Sequence, residues 1–112
     1  MKQVILDTSF IITCAKQKID FFKYLEEEGM IPIIPEQTIS ELKALDAKLA
    51  LKIIKIHNFN TVSVSGKDAD NAIISFSKKN PTSLVATLDA ELKKKIRNRK
   101  IIIKGKKKLE II

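Results

Sequence analysis

The 112-residue chain has no Trp, one His, one Cys, three Gly and three Pro. Each scarcity removes a class of protein. With Cys14 alone there is no disulfide framework and no thiolate zinc site, so that residue is expected to be a small core side chain of a cytoplasmic protein. His57 alone can form neither a histidine metal centre nor an acid/base pair of histidines. No Gly-x-Gly-x-x-Gly occurs and no Gly-rich loop leads into Lys-Ser/Thr, which excludes the common nucleotide-phosphate cradles. No run of about 18 apolar residues is present, so no membrane span is expected. Lys2 and the apolar run after it faintly resemble a secretory leader, but Asp7 interrupts that run and argues against export.

What is present is charge, unevenly placed. The net formal charge is +8. From Asp89 to Ile112 ten Lys or Arg face three acids, so nearly all the surplus lies in the last 24 residues. Such a field attracts polyanions, of which nucleic acid is the usual one. A solvated lysine face on a thermally stable protein is the plainer account of the same residues.

At this length one domain with one core is expected. VILD reads as a buried strand. From about Ser9 the chain turns helical, and Ile19, Phe22 and Leu25 repeat at helical spacing before Gly29. MIPII is a short strand whose Pro32 suggests an edge or irregular position. Pro35 suits the first turn of a helix carrying Ile39, Leu42, Leu45 and Leu49 on one face, and that helix or a successor after Ala47 runs to about His57. TVSV is a third strand and DNAIISFSKK a helix. SLVAT is a fourth strand, AELKKKIRN a short helix, KIIIK a fifth strand, and LEII can add an edge pairing. Strands alternating with helices imply an α/β class: a single-domain, three-layer α/β/α sandwich with a mainly parallel five-stranded sheet over residues 1–112. Both faces of such a sheet are covered, which explains why VIL and SLVAT are apolar throughout.

Two of these strands stop on an aspartate, VILD at Asp7 and SLVAT shortly before Asp89. In open parallel sheets ligands bind outside the carboxyl ends of the strands. Each aspartate can also simply cap the helix after it, worth about 1 kcal/mol. Asp70 lies in the first turns of its helix near the end of TVSV. Ser65 and Asp68 have capping-box spacing, which gives Asp68 a structural task and leaves Asp70 without one. Glu41 borders an apolar stripe; Thr38 to Glu41 has the same spacing, but a helix starting near Pro35 puts Glu41 in mid-helix. Carboxylates converging on one crevice raise each other's pKa unless a cation intervenes. Mg2+ or Mn2+ accepts a few carboxylate oxygens and supports phosphodiester cleavage.

With VILDTSF, ISELK, DADNAI and VATLDAELKKKIR in this order on five strands, the chain resembles the PIN domain family of small α/β metal-dependent ribonucleases. The resemblance spans nearly the whole chain. Its ending looks closest to archaeal stand-alone members and the ribosomal RNA-processing branch, and the family also includes toxins of toxin–antitoxin pairs. The resemblance implies Asp7 and Asp89 as metal ligands, with Asp70 beside them, and Glu41 as a ligand or water-orienting acid. It gives Ser9 and Thr87 as supporting hydroxyls. Asn71 stands next to Ala72 where relatives often carry an aspartate, so Asp70 is expected to serve instead.

Two expectations compete. One is a Mg2+- or Mn2+-dependent endoribonuclease in which Asp7, Asp70, Asp89 and Glu41 form the site. Lys93, Lys94, Lys95, Arg97, Arg99, Lys106, Lys107 and Lys108 would draw in the RNA backbone, which positions a substrate without reading its sequence. The other is an inactive PIN domain that binds RNA or protein, favoured by Asn71. A phospho-accepting receiver shares the topology but needs paired acids after the first strand, where Thr8 and Ser9 follow Asp7. RNA, an antitoxin or a ribosome-assembly protein, and a second copy in a homodimer are the partners expected.

Overall fold

The computed structural model describes residues 1–57, 59–105 and 107–112. Its elements run β1 (Lys2–Leu6), α1 (Thr8–Gln17), α2 (Phe21–Glu27), β2 (Met30–Pro35), α3 (Glu36–Ala44), α4 (Lys48–Ile56), β3 (Asn60–Val62), α5 (Ala69–Lys79), β4 (Leu84–Ala86), α6 (Ala90–Lys94), β5 (Lys100–Lys104) and β6 (Lys108–Ile111). The sheet order is β3-β2-β1-β4-β5-β6. β1 to β5 are parallel, and β6 returns antiparallel to β5 with Ile102 opposite Glu110. The sheet is therefore mainly parallel as expected, with six strands rather than five. The sixth is the edge pairing that LEII offered.

Strand side chains alternate between faces, and here both faces are covered. Val4 and Leu6 join Phe10, Ile34, Leu42 and Leu84 in the core under α1 to α4. Ile5 points the other way, to Ile33, Ile73, Phe76, Val85 and Leu92 under α5 and α6. Burying each large side chain is worth about 1.5–3 kcal/mol, so every position of VIL favours this strand. Cys14 is fully buried, and burial pushes its thiol up to about 12, in keeping with a core role.

Three local expectations need correction. The first helical stretch is two helices, because Lys18 adopts a left-handed conformation (φ 58°) and Asp20 then caps α2 through the Lys23 amide. The second is the apolar stripe: the chain turns at Asp46 (φ 52°) and α4 is the successor after Ala47 that the sequence offered, not a continuation of the α3 face. The stripe Ile39–Leu42–Leu45–Leu49 is thus broken: Leu42 is fully buried, while Leu45 and Leu49 are 63% and 54% exposed. Ala50 and Ile54 form the buried face of α4 instead. Third, Pro32 is on an interior strand. β3 pairs with β2 only from Ile33 to Pro35, so at Pro32 the strand has one neighbour and behaves locally as an edge.

Candidate functional site

β1 and β4 are neighbours in register Leu6↔Ala86, which sets their carboxyl ends side by side. The Asp7 amide extends the ladder by donating to Ala86 O at 3.0 Å. Asp7 then caps α1, its Oδ1 accepting from the Thr8 amide at 2.8 Å. Its Oδ2 accepts from Thr87 Oγ1 at 2.7 Å and Ser9 Oγ at 3.2 Å. Thr87 Oγ1 in turn accepts from the Asp89 amide at 3.1 Å. Asp89 caps α6 through Oδ1, which accepts from the Glu91 and Leu92 amides. Both aspartates therefore cap a helix at the same end of the sheet, and capping leaves Asp89 Oδ2 free of hydrogen bonds among the described residues.

Glu41 arrives in mid-helix on α3, as a helix beginning at Glu36 requires. One oxygen accepts from Thr8 Oγ1 at 2.9 Å and the other from the Ala69 amide at 2.8 Å. It thereby ties the first turns of α1 and α5 together. Asp68 has the structural task expected of it, but as the N-cap of α5 itself rather than as the partner of a Ser65 cap. It accepts from both the amide and the side-chain Nδ2 of Asn71 at 2.9 Å. Asn71 is thus held in the cap, and Asp70 is the acid of this turn that feels the crevice.

Burial leads and neighbouring charge follows in the electrostatics of this end of the sheet. The Asp7 carboxyl is pushed above the usual carboxylate range by burial, against the opposing hydrogen bonds from Thr87, Thr8 and Ser9. Asp70 is exposed, so it is only partly desolvated, yet its carboxyl is also raised. Burial leads, followed by the negative charges of Asp7, Asp89, Asp68 and Glu41. Four acids acting on a fifth is a field that favours a cation.

Oxygen donors of this kind suit a hard divalent ion. As the side chains lie, no three His, Cys, Asp or Glu among the described residues stand close enough to hold one. The chemistry of the donor set fits; a grip on an ion requires the exposed Asp70 and half-buried Asp89 side chains to turn inward.

The basic residues do not form one patch. Lys104 ends β5 at the same end of the sheet as the carboxylates, and Lys108 pairs with it. Lys107 and Lys108 lie near Lys18 and Tyr24. Lys95, Arg97 and Arg99 precede β5 at the opposite end. Lys93 and Lys94 lie on α6, where Lys94 pairs with Glu91 at 3.6 Å. Lys106 is outside the described residues.

Sequence reading missed the supports of this crevice. Gln37 Nε2 donates to Val64 O at 2.7 Å and Gly66 O at 2.8 Å, pinning the loop that delivers α5. Thr38 Oγ1 donates to Leu6 O at 3.3 Å, beside Asp7. Neither carries a motif; only the spacing of Gln37 and Thr38 around the α3 start hinted at them.

The fold and the crevice define an α/β domain with an acidic cleft at the carboxyl ends of its parallel strands. Residues 4–106 match the model of the PIN like domain, so the chain belongs to the PIN-like family. It is 32% identical over 127 aligned positions to ribonuclease VapC4 of Methanocaldococcus jannaschii, covering 99% of this chain and 97% of that protein. It is 37% identical over 101 residues to the rRNA-processing protein fcf1 of Schizosaccharomyces pombe. That match covers 84% of this chain and 53% of fcf1, so the chain spans about half of that relative. Among solved structures, the PIN domain endonuclease Utp24 superposes with a TM-score of 0.84 at 32% identity, covering 97% of this chain and 90% of that one. Among the described residues no helix is long and apolar enough to cross a membrane.

Proposed function

We propose that the chain is a metal-dependent endoribonuclease, with Asp7, Asp70 and Asp89 holding Mg2+ or Mn2+ in the cleft. The observation that carries this reading is the hydrogen-bonded line from the Asp89 amide through Thr87 Oγ1 to Asp7 Oδ2, which brings the Asp7 carboxyl and the Asp89 backbone to one end of the sheet, where their charges act on Asp70. Nuclease relatives over nearly the full length support it. When bound, the cation supplies positive charge to the phosphodiester and makes a nearby water more acidic.

The chain's own residues do the rest. Thr87, Ser9 and the Thr8 amide hold Asp7 in one orientation, so it meets the cation without reorganising. Glu41 keeps α1 and α5 in register, and in this reading its charge helps orient the attacking water. Lys104 is ion-paired with Glu110 at 3.5 Å, so the positive charge for an incoming phosphate comes from the other lysines and arginines of the basic tail. In this reading the chain acts either in ribosomal RNA processing, with a ribosome-assembly protein as partner, or as the toxin of a toxin–antitoxin pair, with an antitoxin as partner.

A second reading, a binder without catalysis, is favoured by Asn71, which is bonded to Asp68 and adds no charge to the site. One experiment separates them: cleavage of a fluor-quenched RNA with Mn2+, Mg2+ or EDTA, beside Asp7→Asn. Metal-dependent cleavage lost in the variant supports the nuclease. RNA bound in a salt-sensitive way but never cut rejects it for the binder.

A further inference from the structure

A cavity of about 370 Å³ lies where α5 ends and the loop from α6 to β5 begins, lined by Ser77, Lys78, Lys95, Arg97 and Asn98 with apolar neighbours. Three observations make it more than a surface dent. The first is charge. Residues 71–88 and 92–109, which supply every lining side chain, contain no Asp or Glu. Lys78, Lys95 and Arg97 form no ion pair among the described residues.

The second is rigidity. Asn98 is buried, and its Nδ2 donates to Asn80 O at 3.0 Å and Ser83 O at 2.9 Å, clamping the α6–β5 loop to the α5–β4 loop. Lys100 Nζ donates to Ile96 O and Asn98 O, both at 2.9 Å, and closes the same loop on itself. The loop backbone that carries Arg97 is therefore braced before any ligand arrives, which lowers the ordering cost of binding.

The third is an unmet hydrogen bond. Ser77 is 3% exposed, and its hydroxyl is buried without a partner among the described residues. An unsatisfied buried hydroxyl costs about 1–3 kcal/mol, and turned toward the cavity that Ser77 lines it would donate to an oxygen seated there.

We infer that this cavity is a phosphate-binding pocket. Its cations supply the charge and Ser77, with its hydroxyl turned toward the cavity, supplies a donor. It rests on the ribonuclease reading in one respect, the source of the phosphate. Ser77 is seven residues beyond Asp70 on α5, or about 10 Å along a helix. A stacked strand advances about 3.4 Å per nucleotide, so the pocket takes a backbone phosphate about three nucleotides from the cleft. The pocket and the cleft are the two ends of one RNA track along α5.

The test uses the full chain in EDTA, so that binding is read without cleavage. Anisotropy of a labelled oligoribonucleotide is measured against salt for the wild type and Lys78→Ala/Arg97→Ala, with Lys52→Ala as a basic control elsewhere. Each single-strand contact contributes about 0.7 to the slope of log K on log salt, so the double variant should lose about 1.4 of slope. Its affinity at 0.1 M salt should fall roughly 10- to 30-fold on the same relation, with Lys52→Ala unchanged. In parallel, amide shifts of Ser77 and Asn98 are followed on adding inorganic phosphate or the oligoribonucleotide. Ser77→Ala should melt no lower than wild type, yet bind inorganic phosphate several-fold more weakly. Unchanged phosphate affinity in that variant removes Ser77 from the pocket's function and overturns the inference. An unchanged RNA slope in the double variant, with a wild type that binds and cuts RNA, overturns it while leaving the ribonuclease intact. Shifts with inorganic phosphate but none with RNA overturn the RNA track and make the pocket a free-anion site. A wild type that neither binds nor cuts RNA overturns both readings together.

Discussion

Thr87 Oγ1 gives its proton to Asp7 Oδ2 at 2.7 Å across 80 residues of sequence and accepts the Asp89 amide at 3.1 Å. One buried hydroxyl thus ties the Asp7 carboxylate to the backbone from which Asp89 projects, just beyond the ends of two adjacent strands. Replacing it by the near-isosteric Val removes both bonds and keeps the volume. Loss of such an outer support typically costs 10- to 100-fold in metal affinity or activity. Thr87→Val should therefore lower cleavage by about that factor with a folded circular dichroism spectrum, and Thr87→Ser should recover most of it. Full activity in Thr87→Val would show that the aspartates need no such tie.

The Asp7 carboxyl, raised by burial, makes the metal-free protein's stability depend on pH. An acid whose folded pKa is raised keeps its proton in the folded chain after the unfolded chain has lost it. Its cost is absent below the unfolded value of 3.8, grows as pH rises through the folded value, and is constant above it. Asp7→Asn cannot incur that cost, and its amide oxygen still accepts from Thr8. In EDTA the variant should melt above wild type at pH 7 and level with it near pH 3. Adding Mn2+ should raise the wild-type melting temperature and leave the variant's in place. A variant that melts lower at pH 7 would mean that the charged form of Asp7 holds the fold together.

Much of this arrangement was legible from the sequence. VIL and SLVAT are apolar without alternation because helices cover both sheet faces, and that pattern implies parallel strands with their carboxyl ends together. Asp7 and Asp89 follow from topology once β1 and β4 are neighbours. Other features depended on single backbone conformations that no pattern announces. Lys18 takes positive φ without being glycine and breaks the first helical stretch in two. Asp68 caps α5 itself because the loop from β3 is pinned by Gln37, a contact 27 residues away in sequence. The basic tail reads as one cluster, but β5 runs the length of the sheet through it and carries its two halves to opposite ends.

Glu41 has one structural bond for each oxygen, and stability and activity should respond to it separately. Glu41→Ala leaves the amide of buried Ala69 without an acceptor. An orphaned buried donor costs about 1–3 kcal/mol, so chemical denaturation should show a loss of that order. Glu41→Gln can still accept one of the two bonds and should lose about half as much. Equal loss of cleavage in both variants, beside unequal loss of stability, is the result expected if the charge acts on water. Cleavage that tracks stability in both would reduce Glu41 to a brace.

Gly66 crosses over the first turn of α5 at φ 148°, so near that a Cβ would lie 2.6 Å from the Ala72 amide nitrogen and 2.9 Å from the Asn71 carbonyl carbon. Both neighbours are backbone and cannot swing aside, so the loop must move. Overpacking of this kind costs typically about 1–3 kcal/mol, and the positive φ adds strain for any residue with a side chain. Gly66→Ala should thus unfold at lower denaturant, and the bonds from Gln37 to Val64 and Gly66 should break with it. Because that loop sets where α5 starts, Asp70 moves as well. Cleavage should then fall further than the lost stability explains when measured at a temperature where the variant is fully folded. Normal cleavage there would show that the position of α5, and with it Asp70, is not part of the site.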